Sequence, residues 1–126
     1  MLLSSIMITK STRDALKGIV EKLNSKAATA VFVVEGKNDL VALKRLVDAD
    51  FFLLNHNKRS LYESAENIAS NYKEAVLMLD ADKKGIELKK KMKSYLQQNG
   101  VRVYVETKLL ELVHCRNVEN LRLLEL

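Results

Sequence analysis

The sequence predicts an α/β fold of about four mainly parallel strands with helices on both faces. Three observations lead there. Short apolar, often β-branched runs alternate with longer segments whose apolar residues recur at helical spacing. The stretches between these runs suit parallel strands, which need a crossover rather than a hairpin. Proline is absent and only 4 glycines interrupt the 126 residues, as expected of regular elements joined by tight turns. A chain of this length makes one compact domain with its own core.

The first helix is expected in "STRDALKGIVEKLNSKA", with Ser11 or Thr12 as N-cap and Leu16, Ile19, Val20 and Leu23 on one stripe. "TAVFVVEG" then reads as a strand buried on both faces and closed by Glu35-Gly36. "KNDLVALKRLVDAD" returns to helical period: Leu40, Leu43 and Val47 face inward, Lys44 and Arg45 outward. "FFLLN" is a second short strand. "KRSLYESAENIASNY" predicts a helix capped by Ser60, with Glu63 at the capping-box position. "AVLML" is the third strand and runs into Asp80 and Asp82. "GIELKKKMKSYLQQNG" predicts a helix with Leu88, Met92, Tyr95 and Leu96 inward and Gly100 at its C-terminal stop. "VRVYVE" alternates, as a strand near a sheet edge does. The tail, Leu109 to Leu126, reads as one or two leucine-rich helices that pack on the chain's own sheet or serve a homodimer or docking contact. The opening "MLLSSIMI" reads as a chain end or a first strand, with Met7 a second candidate start. It lacks a basic leader and is too short to cross a bilayer.

The formal net charge of +5 favours an anionic partner, nucleic acid first. The single Cys115 excludes an internal disulfide framework and fits a reducing cytoplasm. Cys115 and the adjacent His114 are two potential ligands, fewer than the three or four a zinc site needs. The expected location is the cytoplasm, with no membrane association.

Glu35 and Asp80 both stand at the carboxyl ends of apolar runs, where open parallel sheets bind their ligands. Asp80 and Asp82 read either as turn residues closing a buried strand or as ligands of a metal ion. At positions i and i+2 of an extended backbone, both carboxylates can face one side. If they converge with Glu35, three repelling carboxylates need a hard cation, and Mg²⁺ takes oxygen ligands of this kind.

"VFVVEGKNDLVAL" and "VLMLDADKKG" resemble the two signature motifs of the Toprim domain: an apolar strand ending in Glu-Gly-x-x-Asp, then one ending in Asp-x-Asp-x-x-Gly. This domain is shared by bacterial-type primases, topoisomerases of types IA and II, OLD-family nucleases and the ribonuclease that matures 5S ribosomal RNA. The likeness runs from about Thr29 to Val105, and the whole chain, including its final "VENL", is most similar to small stand-alone archaeal Toprim proteins. The resemblance implies a Rossmann-like core over residues 29–105, a helical lead-in over 1–28 and a helical extension over 106–126, all within one domain. It implies that Glu35 acts as general acid or base and as a metal ligand. Asp80 and Asp82 are implied to coordinate Mg²⁺, with Mn²⁺ as a substitute, so that these three acids form both the catalytic and the metal set. Gly36 and Gly85 match glycines that let the backbone turn tightly beside the site. Asp39 matches the last acid of the first motif, in a supporting role or simply as a favourable charge on its helix dipole.

Lys37, Lys83 and Lys84 follow directly on the acidic positions, and Lys58 and Arg59 follow the second strand. All five are candidate phosphate contacts. Lys89, Lys90, Lys91 and Lys93 read as a solvated helix face. The expected function is Mg²⁺-dependent action on nucleic-acid phosphodiesters of RNA or DNA, with a nuclease in processing as the leading reading. The alternative is a non-catalytic nucleic-acid-binding or accessory module of a larger processing or priming complex. Topoisomerase strand passage is not expected of this chain alone, because 126 residues leave no room for a second domain with its tyrosine nucleophile.

Overall fold

The computed structural model describes residues 8–56 and 58–126; the expected first strand or chain end in "MLLSSIMI" and the candidate start at Met7 lie outside them. In chain order the elements are α1 (Lys10–Lys26), β1 (Ala30–Val34), α2 (Lys37–Lys44), β2 (Asp50–Leu53), a 3-10 turn (Leu54–His56), α3 (Leu61–Asn71), β3 (Glu74–Leu77), α4 (Lys83–Gln98), β4 (Arg102–Val105), α5 (Lys108–Leu112) and a 3-10 segment (Val118–Leu123). The four strands form one sheet in the order β2-β1-β3-β4, and every pairing is parallel. The α/β expectation holds in strand number and in direction.

The order of the strands follows from burial. β1 carries five consecutive buried residues, so it needs neighbours on both sides and cover on both faces. Its alternate residues feed two cores. Phe32 and Val34 join Leu16 and Leu23 of α1, Ala42 and Leu43 of α2, and Leu109 of α5. Val31 and Val33 join Ala65 and Ile68 of α3 and Met92 and Leu96 of α4. β2 and β4, whose first residues Asp50 and Arg102 are exposed, take the two edges. The edge position expected of "VRVYVE" is therefore observed.

Local chemistry fixes the helix ends. Ser60 accepts from the Glu63 amide at 3.1 Å while the Glu63 carboxylate accepts from the Ser60 amide at 3.0 Å, which is the expected capping box. α4 stops at Asn99, and Gly100 follows with φ +80°, a left-handed geometry that glycine adopts without strain. α1 departs from expectation: its cap is Thr9, whose hydroxyl accepts from the Thr12 amide at 3.1 Å. Ser11 and Thr12 already lie inside the helix, because a cap satisfies an amide three residues ahead and Thr9 reaches it first. α2 is also shorter than its apolar stripe. It ends at Lys44, and Val47 reaches the core from the following turn.

The tail packs on the α1–α2 face of the sheet. Leu109, Leu110, Val113, Val118, Leu121 and Leu124 are all buried there. These side chains are thus committed to the chain's own core and do not form a free docking or dimer face. The Arg45 guanidinium donates to the carbonyls of Arg122 and Leu124 and ties the last turn to the end of α2. Among the described residues, no helix is long and apolar enough to cross a membrane.

Candidate metal and nucleic-acid site

The strand order reverses between β1 and β3: the chain leaves β1 for the β2 edge, then returns to pair β3 on the other side. At such a switch the loops beyond the strand ends part and leave a crevice. Glu35 follows β1 and Asp80 follows the end of the β3 run, so both acids reach this crevice. Backbone bonds hold the rim together: the Asn55 amide donates to the Glu35 carbonyl at 2.9 Å and the Met78 amide to the Val33 carbonyl at 3.0 Å. The resulting cleft of about 360 Å³ is lined by Glu35, Gly36, Lys37, Asn38, Asp39, Asn55, Asp80 and Glu119. A wider cleft at the opposite rim, around Lys73, Glu74 and Arg102, carries the Arg102–Glu74 ion pair at 3.9 Å and no cluster of acids.

Each acid of the cleft is held differently. Glu35 is half-buried, with the Lys84 ammonium 3.5 Å from its Oε1. Asp80 accepts from the Val118 amide at 2.8 Å on Oδ1 and from the Asn117 carboxamide at 3.2 Å on Oδ2. Asp39 accepts from the Gly36 amide at 3.1 Å. Burial lifts the Asp39 carboxyl to about 6; the Gly36 bond opposes this, and the charges of Asp80, Glu35 and Glu119 add to it. Glu119 comes from the tail and accepts from the Asn38 carboxamide at 3.4 Å.

Asp82 is placed otherwise. It is the N-cap of α4, its Oδ1 accepting from the Gly85 amide at 2.8 Å, and it does not line the cleft. The i, i+2 spacing therefore does not aim Asp80 and Asp82 at one point: the tail holds one and the helix end the other. Among the described residues, no three His, Cys, Asp or Glu side chains are grouped so as to hold a metal ion. The donor chemistry nevertheless fits a hard dication. The ligand atoms the cleft offers are carboxylate and carboxamide oxygens, and the charges of Asp80, Glu35 and Glu119 raise the affinity of Asp39 for a positive charge.

The two glycines differ in kind. A Cβ on Gly85 would lie 2.1 Å from the Asp80 carbonyl oxygen, so this glycine lets the start of α4 press against the Asp80 turn. Gly36 has an ordinary extended backbone, φ −146° and ψ −177°, and a Cβ there would meet only Asn55 Nδ2, at 4.0 Å. The chain bends at Glu35-Gly36, but with a backbone at Gly36 that any residue can adopt.

Of the candidate basic residues, Lys37 lines the cleft and Lys84 reaches Glu35. Lys83 and Lys58 are exposed, and neither lines the cleft. Arg59 turns to α3, where the Asn67 carboxamide, oriented oxygen-inward, accepts from its two terminal nitrogens at 3.0 and 3.1 Å. Glu119, Asn117, Asn38 and Asn55 belong to the site without having been singled out. For Glu119 the one signal was the similarity of "VENL" to the small archaeal proteins. Glu106 is a further strand-end acid, buried but occupied in accepting from the Lys108 and Leu109 amides at 2.5 and 3.1 Å.

A parallel sheet with an acidic cleft at its switch point defines a class, and the chain belongs to the Toprim domain family, whose model matches residues 30–108. Toprim domains generally bind Mg²⁺, and membership implies a metal-binding role connected with nucleic acids. Among its relatives, a UPF0292 protein of Methanosarcina barkeri is 28% identical over 125 residues, covering 94% of this chain and 86% of that protein. A UPF0292 protein of Pyrococcus abyssi is 38% identical over 93 residues, covering 73% and 67%. A solved protein structure from Aquifex aeolicus shares the fold with a TM-score of 0.70 at 24% identity, over 82% of this chain and 95% of that one.

Proposed function

We propose that this chain is a Mg²⁺-dependent enzyme that cleaves nucleic-acid phosphodiesters, a nuclease in RNA or DNA processing. The observation that carries the reading is the meeting of Glu35 and Asp80 with Asp39 in one cleft at the switch point. Glu35 and Asp80 are the cleft residues that would hold the cation, and Asp82, the third acid of the expected set, stands outside the cleft lining as the cap of α4. The cap on Asp82 uses Oδ1 and leaves Oδ2 for a ligand, and Asp80 keeps a lone pair on each oxygen beside its two bonds. When bound, the dication supplies positive charge against that developing on a phosphate oxygen.

The chain's own residues supply the rest. Glu35 holds or accepts a proton at its carboxylate, with the Lys84 ammonium 3.5 Å from it. Lys37 adds a positive charge to the cleft wall. α2 and α4 both open at this rim, after Gly36 and Asp82, and helix N-termini favour anions such as phosphate.

The test is an incubation of purified protein with Mg²⁺ or Mn²⁺ and labelled structured RNA, single-stranded DNA and duplex DNA, beside Glu35→Gln. Cleavage of at least one substrate is expected, falling by roughly 100-fold or more in the variant. Binding without cleavage, equal in both proteins, would replace the enzyme with a binding module.

A further inference from the structure

We infer that the C-terminal tail is a working wall of the metal cleft, and that Glu119 supplies a carboxylate to the cation or to the waters around it. The inference rests on the Mg²⁺ site proposed above and extends it to a segment beyond the family match, which ends at residue 108.

Three contacts carry it. The Ala81 amide donates to the Arg116 carbonyl at 2.6 Å. The Val118 amide and the Asn117 carboxamide then grip both oxygens of Asp80, at 2.8 and 3.2 Å. One residue further, Glu119 faces the same cleft as Glu35, Asp39 and Asp80, steadied by Asn38 at 3.4 Å. The tail therefore orients one expected ligand and adds a carboxylate of its own.

The anchoring of this segment is built into the core. Val118 and Leu121 are buried on the α1–α2 face, and Arg45 holds the carbonyls of Arg122 and Leu124. Glu119 is thus a half-buried acid on a fixed backbone, rather than a charge on a loose end. Asp82, by contrast, is turned to its helix cap and stands outside the cleft lining. In the cleft itself, Glu119 occupies the wall that faces the first-motif residues Asn38 and Asp39.

The experiment is Mn²⁺ and Mg²⁺ binding to the full chain, read by calorimetry and by the cation-dependent rise in melting temperature, with no nucleic acid present. Wild type is compared with Glu119→Gln, Glu119→Asp and Asp80→Asn, and the metal-free melting temperature of each reports folding. Glu119→Gln is expected to weaken cation binding about ten-fold while its metal-free melting temperature does not fall. Glu119→Asp is expected to lie between it and wild type. Binding by Glu119→Gln within two-fold of wild type, with Asp80→Asn impaired, overturns the tail's role and leaves the metal site standing. Absence of any cation response in wild type, or a response that Asp80→Asn leaves intact, overturns the metal reading and this inference together.

Discussion

Asp39 shows how position changes the chemistry of one residue. On the surface of a helix's first turn it would only interact with the helix dipole. Here it is half-buried among Asp80, Glu35 and Glu119, and its carboxyl titrates at about 6 rather than 3.8. The folded state therefore binds this proton more tightly than the unfolded chain. Its stabilising effect is fully present below about 3.8 and is lost as pH rises through about 6. Asp39→Asn keeps an acceptor for the Gly36 amide and removes the titration. In metal-free buffer, wild type should lose stability relative to the variant between pH 4 and pH 6. The difference should be on the order of 1 kcal/mol, reduced by solvent screening at a partly exposed carboxyl. Parallel pH profiles of melting temperature check this, and superimposable profiles would disprove the shift.

At the scale of elements, α4 depends on one close approach. Its cap Asp82 and its third residue Gly85 are drawn together by the 2.8 Å hydrogen bond, and Gly85 stands where a Cβ would lie 2.1 Å from the Asp80 carbonyl oxygen. Gly85→Ala should raise intrinsic helix propensity yet destabilise the fold by about 2 kcal/mol or more, because backbone has to move. Thermal unfolding should show a drop of several degrees, and cation binding should weaken as the Asp80 turn shifts. A neutral or stabilising effect would mean that the contact is not made in solution. The elements themselves were largely legible from periodicity: "SLYES" specified its capping box, and "QQNG" its stop. Where the reading of α1 slipped, from Ser11 or Thr12 to Thr9, several capping residues competed within one short stretch. Sequence spacing alone cannot rank hydroxyls that differ only in which amide they reach.

At the scale of the whole molecule, the sheet separates two cores, and the tail belongs to one of them. Leu121 is 1% exposed, and Leu43 of α2, in the same cluster, is 0% exposed. Leu121→Ala should therefore cost about 2–5 kcal/mol, as a core leucine does, and not the small amount expected of a detachable tail. Denaturant unfolding compared with Leu43→Ala measures it; a loss below about 1 kcal/mol would show that the tail packs only loosely. Of the two expectations for the leucine-rich segment, packing on the chain's own sheet is the one its buried side chains meet. Its apolar side chains cover the face of the sheet that α1 and α2 leave open, and mainly Leu126 remains exposed, at 37%.

By itself the sequence determined which segments become strands and helices, that the strands run parallel, and that Glu35 and Asp80 end two of them at a shared rim. These are local matters of period, capping and burial, and each is written in a few neighbouring residues. Only the tertiary structure decided what the acids do there. Asp80 and Asp82 share a motif, yet one is gripped by Asn117 and Val118 and the other caps α4. Glu119 joins the cleft although it is far from both motifs in the chain. Such choices depend on contacts between distant segments, which form only once the hydrophobic tail has found its face of the sheet.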